Sequence, residues 1–101
     1  MFIKTSRAAF LRALVPGSEW YRVCPEEISK GAAKRPSYRK VDRIRSKDVV
    51  FRTVENKPSY LPLVSGASYS HDAETGSWEI NSGGFILRYV PKNACAGERA
   101  A

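Results

Sequence analysis

Chemistry that turns over a substrate needs side chains that move protons, attack or hold a metal, and this chain carries few of them. His71 is the only histidine among 101 residues, so any imidazole-dependent acid–base scheme rests on one ring in a predicted turn. His71, Asp72 and Glu74 stand close in sequence. Without a His-x3-His or Cys-x2-Cys spacing they read as a polar hairpin face rather than a metal site. A Cys24–His71 nucleophile would need distant segments to meet and the thiol pKa to fall. Glu26 and Glu27 lie in a predicted loop, where solvation favours two ordinary ionised carboxylates. No P-loop or GxGxxG occurs, and Gly83-Gly84 belongs to a predicted hairpin rather than preceding a helix. The expectation is a protein that is not an enzyme, with no catalytic residues, no metal and no cofactor. A small nuclease or hydrolase is the remote alternative.

Binding chemistry is better represented. Seventeen Lys plus Arg against ten Asp plus Glu give a net charge of +7. Nine cations fall between Lys30 and Arg52, opposed only by Asp42 and Asp48, while the cations and anions elsewhere cancel. A field concentrated in this way steers anionic partners. Within it, Lys34, Arg35, Tyr38, Arg39, Lys40, Arg43, Arg45 and Arg52 form the candidate surface for nucleic acid or another anionic partner. Period-two alternation places Arg39, Val41, Arg43 and Arg45 on one strand face and Tyr38, Lys40, Asp42 and Ile44 on the other. Arginines in such a row suit phosphates spaced along a backbone, and Tyr38 can stack on a base. The competing reading is a solvated or internally paired strand pair, with Val41 marking the arginine face as partly core. A second candidate surface is the apolar stretch Tyr60, Leu61, Pro62 and Leu63, an edge strand open to a protein partner.

The elements that must position these residues are one helix and a series of short strands. Thr5 or Ser6 caps a helix whose Phe10, Leu11 and Leu14 share a face, and Pro16-Gly17 ends it. Strands are predicted over 19–24, 38–45, 49–54, 60–64, 67–71, 78–80 and 85–90, separated by turn residues. Pro62 restricts its strand to an edge or bulge, residues 25–36 read as an exposed loop, and residues 92–101 as a frayed tail. Trp20, Tyr21, Phe51, Tyr60, Trp78, Phe85 and Tyr89 are expected in the core and its strand pairs. Together these describe a single α+β domain over 1–91. Its short N-terminal helix packs on a bent antiparallel sheet of about six short strands, which can also curl into a small, partly open β-barrel.

The run Thr5-x4-Phe10-Leu11-x2-Leu14-x-Pro16-Gly17-x2-Trp20, followed by a basic strand pair and Ser59-Tyr60-Leu61, resembles small uncharacterised proteins of phage and prophage genomes. The resemblance spans roughly residues 5–61 and its motifs mostly form the fold, so no catalytic residue carries over. It implies a compact accessory protein of a mobile element, working in the bacterial cytoplasm. Such a protein acts stoichiometrically on nucleic acid or a host nucleoprotein complex. The alternative is a protein–protein inhibitor or adaptor against a host bacterial protein, for example an anti-defence protein such as an anti-CRISPR, using the apolar edge.

No apolar run approaches the ~20 residues of a membrane helix, and Lys4, Arg7 and Arg12 interrupt any secretory h-region. Residues 4–12 are nevertheless basic, amphipathic and acid-free, a pattern a transit peptide shares with a structural helix. The cytosol is the default compartment, and two distant cysteines there are reduced thiols. Thiol titration of the freshly purified, unreduced protein is therefore expected to find both Cys24 and Cys95 free. Finding neither would overturn both the redox and the compartment reading.

Overall fold

The computed structural model describes residues 1–23 and 37–92. The chain runs β1 (Ile3–Thr5), α1 (Arg7–Ala13), β2 (Glu19–Val23), β3 (Ser37–Ile44), β4 (Asp48–Arg52), β5 (Pro58–Pro62), β6 (Ser68–Asp72), β7 (Ser77–Ser82) and β8 (Phe85–Pro91). Cys24, the predicted loop over 25–36 with Lys34 and Arg35, Cys95 and all of the predicted tail but Lys92 lie outside the described residues.

Each element follows from local chemistry. Ser6 has extended backbone and its hydroxyl accepts from the Ala9 N–H at 3.1 Å, capping α1. The helix stops at Ala13 as Pro16 approaches. Gly17, at φ +89°, then donates its N–H to the Val41 carbonyl, tying the turn to β3. Gly83 and Gly84, both at positive φ, close the two-residue β7–β8 hairpin, the geometry that right-twisted strands require.

All neighbouring strands pair antiparallel in one sheet of order β1-β6-β7-β8-β2-β3-β4-β5. Two meanders, β2 to β5 and β6 to β8, join where β2 lies beside β8. β5 and β6 stand six strand spacings apart, about 29 Å in a flat sheet. The chain between them, residues 63–67, reaches only about 20 Å when extended. The sheet must therefore roll, and α1 lies on its concave side. Hydrogen bonding does not close a barrel, since β1 and β5 remain edges. The expected strand count of about six rises to eight, in part because Ile3–Thr5, for which no strand is predicted, pairs with β6.

Phe10 and Leu14 are completely buried. The Phe10 ring lies 5.4 Å from Tyr69, 5.5 Å from Trp78 and 6.2 Å from Tyr89. Tyr89 in turn stacks on Phe51 at 5.3 Å, and Trp20, Val41, Val49, Leu61 and Ile80 complete the core. Tyr60 and Phe85, expected inside, are exposed, because each falls on the strand position that points away from the roll.

The β5 edge has its own chemistry. Leu63 and Thr53 donate to Lys47 and Lys57 carbonyls, so odd-numbered residues of this segment direct their polar groups to the β4 side. Pro58, Tyr60 and Pro62 face outward, and proline has no N–H. Of these three, Tyr60 alone can donate at the open edge.

The docked helix predicts a stability effect. Leu14→Ala is expected to lower unfolding free energy by about 2–5 kcal/mol in urea titration. Arg12→Ala, on the exposed side of the same helix, is expected to stay within about 0.5 kcal/mol. A loss at Leu14 as small as that at Arg12 would show the helix undocked.

Candidate nucleic-acid interface

The β3–β4 hairpin carries the candidate cations, and one irregularity decides which way they point. Register runs Lys40↔Arg52 and Val41↔Phe51, then jumps to Arg43↔Val50, a β-bulge at Asp42. The extra residue reverses the alternation. Before it, Arg39 and Val41 face the concave core with 9% and 1% exposure. After it, Arg43 faces the convex side beside Val50. The predicted row of Arg39, Arg43 and Arg45 on one face therefore does not exist.

The bulge gathers a different set. Lys40, Arg43 and Arg52 share the convex face of β3 and β4, with Asp42 among them. Asp42 is 2.7 Å from Arg43 and 3.4 Å from Arg52, so two guanidiniums divide one carboxylate. Val50 is buried although it lies outside the core cluster. Its register partners Arg43 and Tyr60 flank it on the convex face, where the long arginine stem can cover it. Lys40 and Lys47 make no ion pair among the described residues. Arg45 is bound at both its Nε and NH2 by Asp48, at 2.7 and 2.6 Å, which holds the Asp48 carboxyl below its ordinary pKa. Its guanidinium also lies over the Tyr60 ring at 5.4 Å.

Next to the cations, on β2 and β3, stands an aromatic pair. Tyr21 and Tyr38 meet edge to face at 6.2 Å. The Tyr38 hydroxyl donates to Glu19 at 2.5 Å, and Lys92 contacts both, 3.2 Å from Glu19 and 5.6 Å from the Tyr38 ring centre. The bonds from Tyr38 and Lys92 hold the Glu19 carboxyl below its ordinary pKa, while the same bond pushes the Tyr38 phenol up to about 12. Tyr21 and Lys92 were not among the expected contributors. The first read as a core aromatic and the second as tail; only register brings them beside Tyr38.

The remaining candidates separate. Of the apolar edge, Leu61 is in the core, Leu63 is half-buried, and Tyr60 and Pro62 are exposed. The His71 ring stacks on Trp78 at 4.3 Å with Nδ1 3.1 Å from the Ser77 carbonyl. Among the described residues no three His, Cys, Asp or Glu side chains converge as a metal site would need. No described helix is long and apolar enough to cross a membrane.

The Glu19 bond sets a measurable titration. In Glu19→Gln, Tyr38 is expected to ionise near the ordinary tyrosine value of about 10, moving one late component of an ultraviolet absorbance titration. Tyr38→Phe should delete that component, and Tyr89, also pushed up to about 12 by burial, should remain. An unchanged late component in Glu19→Gln would mean that the bond does not form in solution. Compared with protein-family models, curated proteins and solved structures, the chain matches none.

Proposed function

We propose that this is a non-enzymatic binding protein of phage or mobile-element type. It acts stoichiometrically on nucleic acid, free or within a host nucleoprotein complex in the bacterial cytoplasm. The observation that carries the reading is the convex cluster of Lys40, Arg43 and Arg52 on an exposed sheet face, where Arg43 and Arg52 share the Asp42 carboxylate and Lys40 stands across from Glu19. Carboxylates spaced between guanidiniums keep such a face foldable in the absence of a partner. Phosphates add to it because Arg43 and Arg52 share one carboxylate, Lys47 has no ion pair among the described residues, and Lys40 is offset there only by Glu19, which also holds Tyr38 and Lys92. Tyr21 and Tyr38 at the border of the cluster supply aromatic surface suited to bases at the end of a phosphate track. Arg39 takes no part in this surface.

A second reading, a protein–protein inhibitor or adaptor such as an anti-defence protein, has its own support. Tyr60, Val64 and Phe85 are all about half exposed, and Val64 and Phe85 line an apolar groove with Leu61, Ala67 and Leu87. Such a partner would dock through side chains, since the two prolines leave β5 a poor template for an added strand.

Salt dependence separates these readings. Binding of a labelled oligonucleotide should weaken linearly on a log–log salt plot, and Lys40→Ala, Arg43→Ala and Arg52→Ala together should flatten the slope by roughly 2–3. Arg45→Ala should change it least, because Asp48 already satisfies that charge. Wild-type protein with no detectable binding to DNA or RNA at ~50 mM salt would end the electrostatic reading. A tight host protein captured at the Phe85 groove would then favour the adaptor.

A further inference from the structure

Asp42 and Arg43 are consecutive residues of one strand, yet their side chains meet at 2.7 Å. Regular strand geometry sends neighbours to opposite faces, so the contact depends on the β-bulge that breaks the alternation there. Arg52 reaches the same group from β4, its Nη2 3.4 Å from the carboxylate. Both contacts fall on one atom, Asp42 Oδ2. The Arg45–Asp48 pair is built differently. Asp48 gives each of its oxygens to a separate nitrogen of a single guanidinium, a closed fork.

Sharing one oxygen leaves Arg43 and Arg52 with donors to spare, since a guanidinium carries five N–H groups. Arg43 spends one on Asp42, and Arg52 lends another to the Asn56 carbonyl at 3.4 Å. The trio is also accessible. The Asp42 and Arg52 side chains are 32% and 36% exposed, and that of Arg43 is 53% exposed. Ion pairs this shallow are weak. A phosphoryl group offers more oxygens than a carboxylate and matches two guanidinium forks at once.

The geometry points to Asp42 as a built-in stand-in for phosphate: Oδ2 marks the position of a phosphoryl oxygen, and a nucleic-acid phosphate enters by displacing the carboxylate from Arg43 and Arg52. This rests on the nucleic-acid reading above and adds a brake to it. Asp42 keeps its charge when displaced and turns to water, and its repulsion lowers the affinity for each phosphate that arrives. A strand that also meets Lys40 and Lys47 gains contacts that offset this loss. Arg45, closed by Asp48, takes no part in the exchange.

Binding of a labelled oligonucleotide to the chain tests the brake. Asp42→Asn keeps the shape of the bulge residue and is expected to bind roughly two- to tenfold tighter than wild type at ~50 mM salt. Its log–log salt slope should steepen by about one counterion. Glu74→Gln removes the same charge from the exposed β6–β7 turn and should change both quantities far less. In an Arg43→Gln/Arg52→Gln background, Asp42→Asn should add nothing, because its effect runs through those two side chains.

A second measurement uses inorganic pyrophosphate. The Nε–H resonances of Arg43 and Arg52 should move together on one saturable curve, reached at lower concentration in Asp42→Asn. That response without oligonucleotide binding would support the exchange site and remove the nucleic-acid reading. Oligonucleotide binding in which Asp42→Asn gains no more than Glu74→Gln would overturn the exchange and leave the nucleic-acid reading standing. A gain that survives loss of both arginines would do the same. Arg43 and Arg52 resonances that neither ligand moves would also overturn the exchange.

Discussion

Residues 63–67 are too short to connect β5 to β6 across a flat eight-stranded sheet, and most of the architecture depends on that shortfall. Rolling the sheet brings Leu61 from one end of the strand order into the same core as Tyr69, on the strand next to the other end, and Ile80. It also creates a concave side deep enough for a seven-residue helix that has little stability of its own. Phe10 fills that hollow against Tyr69, Trp78 and Tyr89, three strands at once. The same curvature turns the opposite faces of β3 and β4 outward, where long cationic side chains can spread apart and reduce their repulsion.

Curvature alone does not decide which residues reach that outer face; the bulge at Asp42 does. With uninterrupted pairing, Arg39, Val41 and Arg43 would all face the core, placing a third guanidinium inside. One extra residue sends Arg43 outward and leaves Asp42 within reach of both Arg43 and Arg52. Asp42 thereby serves two ends, as the residue of the irregularity and as the counter-charge that lets the hairpin form with its cations close together. The pairing is shallow and solvent-accessible, so it contributes modestly to stability and can be exchanged for other anions.

Where local chemistry governs, the fold was legible in the residues. The Ser6 cap, the Gly17 turn, the Gly83-Gly84 hairpin and the aromatic strands all appear where their types predict them. Long-range partners govern the rest. Ile3–Thr5 has no apolar alternation and becomes a strand only because β6 offers it an edge. The bulge carries no signature in Val41-Asp42-Arg43, so a period of two, correct through Val41, inverts every later assignment on β3. Tyr60 and Phe85 have the composition of core residues but the wrong parity. For the candidate surface, the cationic hairpin was visible from charge density, while membership of the face, gaining Tyr21 and Lys92 and losing Arg39, depended on register.

The prolines of β5 have a consequence for the protein in a crowded solution. A rolled sheet that stops short of closure keeps two unsatisfied borders, and copies of such a molecule can zip together border to border. Pro58 and Pro62 remove two of the three outward donors over a five-residue border, so a second molecule approaching there finds carbonyls it can use and almost nothing that donates to it. The opposite border, Ile3–Thr5, is three residues long and offers too short a track to hold a neighbour. Over the described residues the open sheet thus offers little backbone for a second copy to pair with, which gives its charged and apolar faces more say than its backbone in what it meets.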